Sequence, residues 1–190
     1  MRRRFVPERG FWLYLAAAVL LLPAKWLAAS LLAALVHEMF HWLVLALLGR
    51  GRSAVRLSAR GAGLDAAGLS RGAELLCALA GPVGALLLLL PGRFYPHLAI
   101  CALAQSAYNL LPVYPLDGGR AVYCLSSLVL HPAFATALTV FLGWLTIGLL
   151  LGLSFYACFW GGLGPAPLLC VAILMWKAKI PCKPPRLALQ

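Results

Sequence analysis

A chain of 190 residues in which 63% are hydrophobic and only 11% are charged carries less than half the charge of an ordinary water-soluble domain, where roughly a quarter of residues are charged. The charges are one-sided, with 16 Lys and Arg against 5 Asp and Glu for a net charge of +11. This composition argues against a soluble globule. It also argues against nucleic-acid binding, because the basic residues cluster between and beyond apolar stretches, where the positive-inside rule accounts for them.

The first 48 residues comprise a basic head (Arg2, Arg3, Arg4, Arg9), an apolar run from Phe11 to Leu22, the interruption Pro23-Ala24-Lys25-Trp26, and a second run from Leu27 to Leu48. They read as two membrane spans joined by a tight turn, the first of them short for a hydrocarbon core of about 30 Å. A cleaved signal peptide is the competing reading. Residues 49–72 break the apolar pattern with five Arg and several Gly, and the alternation Val55-Arg56-Leu57-Ser58-Ala59 has strand period. This is expected to be a polar loop carrying a short β-ribbon.

Apolar runs follow from Ala73 to Leu90 and from His97 to Leu111, separated by a turn around Pro91 to Pro96. Pro112 and Pro115 then stop regular helix, since proline lacks a backbone donor and pushes its predecessor toward extended geometry. After Gly118-Gly119-Arg120 a helical stretch reaches Leu130, and the 44 residues from Ala133 to Trp176 hold two further spans. The fold class expected is an all-α polytopic membrane protein of about six transmembrane helices, forming one domain over residues 1–190. With both termini cytosolic, fourteen of the sixteen basic residues fall inside and only Lys25 and Arg93 outside. The six cysteines show no C-x-x-C pairing and read as small buried apolar residues.

Within the second run stands His37-Glu38-Met39-Phe40-His41, an H-E-x-x-H sequence. Positions i and i+4 of a helix lie about 40° apart around the axis, so both imidazoles can reach one metal ion, with Glu38 beside them to handle the proton of its water. Ionisable residues are costly in a bilayer, and three within five residues need a shared purpose. Catalytic zinc commonly takes three protein ligands. Glu8 lies in the head, Asp65 in the polar loop, and Glu74 where it can stabilise a helix N-terminus. That leaves Asp117, whose plainer role would be to cap the helix after it. His41 lies roughly 10 Å inside the cytosolic end of its helix, and Asp117 follows the cytosolic end of a span of the same direction.

The H-E-x-x-H run, together with Asn109-Leu110-Leu111-Pro112-Val113-Tyr114-Pro115-Leu116-Asp117-Gly118-Gly119-Arg120 and the preceding Ala80-Gly81-Pro82, resembles the site-2 proteases. These are zinc metalloproteases that cut peptide bonds within or beside the membrane, and the wording is most similar to the bacterial branch containing the stage IV sporulation metalloprotease FB. The resemblance implies one zinc ion held by His37, His41 and Asp117, with Glu38 as the catalytic glutamate. It also implies that Asn109 steadies substrate or transition state, where an interhelical hydrogen bond is the alternative. His97 and His131 match no ligand and read as an interfacial and a helix-end residue.

The implied partners are the lipid bilayer and a membrane-associated protein substrate, and a regulatory membrane partner or a homo-oligomer is compatible with the chain. The implied location is the bacterial cytoplasmic membrane. No CBS domain and no PDZ domain is expected. The Val55 to Ala59 segment could hold an unwound substrate by strand addition, or be a solvated loop whose Arg residues set orientation. A heat-shock type membrane metalloprotease would want a downstream Glu ligand and a large cytosolic domain. A catalytically silent scaffold would lack Glu38 or a ligand. The rival from another class is a metal carrier or transporter that uses the same His and Asp without proteolysis.

Overall fold

The computed structural model describes residues 6–7, 19, 23–49, 55–58, 61–64, 69–162 and 164–178. The chain divides into two compact units, Met1–Asn109 and Leu110–Gln190.

In the first unit, helix α1 spans Ala24–Leu47. Pro23 precedes it, where a missing N–H costs nothing, and Gly49 ends it at φ +73°, the left-handed conformation that commonly terminates helices. Its buried residues are Ala29, Ala33, His37, His41 and Leu45, a stripe of every fourth position, while Leu35, Met39 and Trp42 stay exposed. Strands β1 (Val6–Pro7), β2 (Val55–Ser58) and β3 (Gly61–Leu64) form a sheet in that order, parallel between β1 and β2 and antiparallel between β2 and β3. Strand β3 lies against α1.

Helix α2 covers Arg71–Leu86. Ser70 caps it by accepting from the Ala73 N–H at 3.3 Å, and Glu74 sits in its first turn, where the helix dipole favours a carboxylate. The apolar run does not stop at Leu90 but tightens into a 3-10 helix over Leu87–Arg93. Helices often end in such tighter turns. The buried face of α2 is built of small residues, Cys77, Ala78, Gly81, Pro82, Gly84 and Ala85, which let α1 come close. Helix α3, Pro96–Asn109, packs on both and sends the buried Ser106 hydroxyl to the Pro82 carbonyl at 3.1 Å.

In the second unit, α4 spans Asp117–Val129, α5 Pro132–Phe159 and α6 Ala166–Lys177. Helix α5 repeats the four-residue pattern with buried Ala135, Thr139, Gly143 and Ile147, and Thr139 satisfies its hydroxyl on the Ala135 carbonyl at 2.8 Å. Gly162 and Gly164, at φ +67° and +64°, make the turn into α6.

Among the described residues, Ala24–Leu47, Arg71–Arg93 and Pro132–Phe159 are long and apolar enough to cross a membrane, and Ala166–Trp176 is a shorter apolar helix. The run Phe11–Leu22 expected as a first span lies outside the described residues. Replacing Ser106 by Ala is expected to cost about 0.6 kcal/mol, the mean for a hydrogen bond between membrane helices. Reversible unfolding in mixed micelles measures it.

Candidate functional site

Helix α1 places His37 and His41 one turn apart on its buried stripe, at 3% and 4% exposure. Their Nε2 atoms are 3.1 Å apart, with the rings nearly perpendicular at 82°. Two nitrogens each about 2.0–2.1 Å from a tetrahedral zinc ion stand roughly 3.3 Å apart, so the pair has the separation that a shared ion requires.

The protonation of His41 follows from its other nitrogen. His41 Nδ1 lies 2.6 Å from the Cys77 carbonyl oxygen on α2. A carbonyl can only accept, so Nδ1 carries the hydrogen and Nε2, which faces His37 Nε2, is the acceptor nitrogen, the type that ligates metals. Gly81, one turn further along α2, faces the same ring, and a Cβ there would run into the imidazole. Gly84 receives the ring of Phe40 in the same way. Glu38 is half-buried between these neighbours on α1.

The second unit prepares a carboxylate by different means. Between residues 110 and 116 the backbone leaves helical geometry and closes short turns, Val113 N–H to Leu111 O at 2.7 Å and Leu116 N–H to Val113 O at 2.9 Å. Leu116 holds the N-cap position with extended backbone, and half-buried Asp117 is the first residue of α4. The capping role open to Asp117 in the sequence therefore falls to a residue whose side chain cannot cap. Asp117 instead sits in the first turn, at the positive end of the helix dipole. Gly118 and Gly119 press against the backbone of Leu110–Leu111 and of Val113–Tyr114, leaving no room for a Cβ at either position.

The first unit thus offers the His37–His41 imidazole pair, and the second unit separately offers the Asp117 carboxylate. Two imidazoles and one carboxylate form a donor set suited to zinc. Asn109 is the half-buried last residue of α3 in the first unit. The other two histidines have local roles: His97 meets Trp26 edge-on, ring centroids 4.5 Å apart, and His131 caps α5 by accepting from the Ala133 N–H at 3.4 Å. Reading residue types alone misses the Cys77 carbonyl and the Gly81 clearance, because a backbone acceptor leaves no mark in a sequence. The Ala80-Gly81-Pro82 run was visible, but without a function attached to it.

No protein-family profile matches the chain, and no curated protein matches it in sequence. Its fold is similar to that of a solved structure, the site-2 protease from Methanocaldococcus jannaschii, with a TM-score of 0.59 at 16% identity over 95% of this chain and 89% of that one.

The glycines of the second unit yield a paired prediction of opposite sign. Gly119→Ala is expected to destabilise by about 1–3 kcal/mol, the usual cost of overpacking. Gly148→Ala, in α5 with open space around it, is expected to stabilise by about 0.5–1 kcal/mol through the helix preference for Ala over Gly. Unfolding midpoints of the two variants in one detergent decide both.

Proposed function

We propose that the chain is an intramembrane zinc metalloprotease that hydrolyses peptide bonds of membrane-associated proteins. The observation that carries this is the buried imidazole pair, Nε2 atoms 3.1 Å apart, with Glu38 adjacent in sequence. The likeness in fold to a site-2 protease supports it and disfavours a metal carrier. The motif wording further suggests the sporulation-protease branch, and the distribution of basic residues suggests six crossings with cytosolic termini.

In this reading His37, His41 and Asp117 hold one zinc ion. When bound, the ion supplies Lewis acidity to the scissile carbonyl and lowers the pKa of water. Glu38 takes the proton from the attacking water as the new C–O bond forms, then passes it to the amine nitrogen as the C–N bond breaks. The hydrogen bond from His41 Nδ1 to Cys77 keeps the imidazole turned toward the metal. Asn109 steadies the substrate.

A transmembrane substrate must unwind before it is cut, and the sheet offers a place to hold it. Strand β2 is paired on both sides, so an added strand would join β3 along the edge away from β2. With Ser58 opposite Gly61, the N–H groups of Gly61 and Gly63 turn toward β2 and those of Ala62 and Leu64 turn away. Ala62→Pro removes an outward donor and is expected to slow cleavage of a transmembrane substrate while sparing a short unstructured peptide. Equal rates on both substrates for this variant and wild type would remove strand addition from the mechanism.

The central test is co-expression with candidate membrane substrates. Glu38→Gln is expected to cut at least about 100-fold more slowly with zinc retained, whereas Asp117→Ala is expected to lose zinc itself. Cleavage that survives Glu38→Gln would refute the proposed chemistry.

A further inference from the structure

Site-directing residues outside the first coordination sphere are hard to find from side chains alone, and here the relevant groups are a carbonyl and a missing Cβ. Two observations on α2 converge on His41. The Cys77 carbonyl fixes which nitrogen carries hydrogen, by accepting from Nδ1 at 2.6 Å. Gly81 abuts the imidazole so closely that any side chain would displace it, and the atom nearest a hypothetical Cβ is Nε2, the nitrogen facing His37. One carbonyl and one glycine on the same face therefore set both the tautomer and the position of the donor atom.

We propose that Gly81 is a positioning residue for the metal ligand His41, acting with the Cys77 carbonyl to hold Nε2 at the metal. This rests on the zinc reading given above and goes beyond it, since it assigns control of metal affinity to a helix that contributes no ligand. A methyl group at residue 81 cannot be met by a small adjustment. The ring is held on one side by its hydrogen bond to Cys77 and is attached to a helix packed against α2, so the imidazole must turn and carry Nε2 away from His37. Partners that orient a metal-bound histidine are typically worth 10- to 100-fold in affinity or activity.

The structure also supplies the control that separates positioning from ordinary packing. Gly84 lies on the same face of α2, and a Cβ there meets the ring of Phe40, which is adjacent to His41 but not a ligand. Gly81→Ala and Gly84→Ala thus impose comparable steric insults on one helix pair. Only the first touches a donor atom.

The test measures zinc and cobalt affinity of the detergent-solubilised full chain by chelator competition, with no turnover required. Gly81→Ala is expected to weaken binding about 10- to 100-fold and to alter the visible spectrum of the cobalt form, while Gly84→Ala changes affinity by less than about threefold. Wild-type affinity in Gly81→Ala, or equal losses in both variants, would overturn the proposal. A His37→Ala variant reports on the underlying reading independently: if it binds zinc as wild type does, the metal site itself is wrong. Should Gly81→Ala fail to fold, nitrogen-15 NMR of histidine-labelled wild type still decides the tautomer. Hydrogen on Nδ1 of His41 with and without zinc is expected, and hydrogen on Nε2 in the zinc-free protein would overturn the arrangement.

Discussion

Two imidazoles buried within an apolar helix carry a desolvation cost that the first unit is arranged to offset. An uncompensated polar group in a protein interior costs about 1–3 kcal/mol by mutational measures. Side chains four apart bring the two Nε2 atoms to 3.1 Å, and the facing helix supplies the Cys77 carbonyl to Nδ1 of His41. That hydrogen bond requires α1 and α2 to approach closely. The small buried face of α2, from Cys77 to Ala85, follows from this requirement, and so does the exposure of large residues such as Leu35 and Met39 on the opposite side of α1. In a bilayer, that exposed apolar face is solvated by lipid.

The second unit answers a different demand, which is to present a carboxylate at the start of a helix. Irregular backbone in apolar surroundings must satisfy its own polar groups, and the segment before α4 does so with short-range turns rather than helix. Pro112 and Pro115 break the helix, Gly118 and Gly119 let the loop lie flat on the first turn of α4, and Asp117 is left at the positive end of the helix dipole. Each residue type in Pro-x-x-Pro-x-Asp-Gly-Gly therefore has a separate physical task.

Much of this was legible in the sequence because rare residues in an apolar chain are informative. His37, Glu38 and His41 were conspicuous by spacing and by expense, and Asp117 could be reached by elimination among five acids. The proline stops were also readable, since proline acts through local backbone geometry. What could not be read depended on contacts between elements. The Cys77 carbonyl is chemically identical to every other carbonyl until a ring is brought to it, and Gly81 looks like any helix-packing glycine until its neighbour is known. The N-cap at Leu116 escaped for a related reason: capping preference favoured Asp117, but the turn from Val113 to Leu116 starts the helix one residue earlier.

The cost of unpaired backbone groups also governs how a substrate would be handled in the proposed protease. A peptide bond within a transmembrane helix is shielded because its N–H and C=O are paired, and in hydrocarbon each unpaired group costs several kcal/mol. Exposing a scissile bond therefore requires replacement partners before zinc and Glu38 can act on it. A sheet edge is an economical supplier, since one extended strand offers alternating donors and acceptors to an unwound segment without regard to its side chains. Such recognition would select substrates by how readily a helix unwinds rather than by residue identity, so helix-weakening Gly, Pro or Asn near the cut would matter more than any fixed motif.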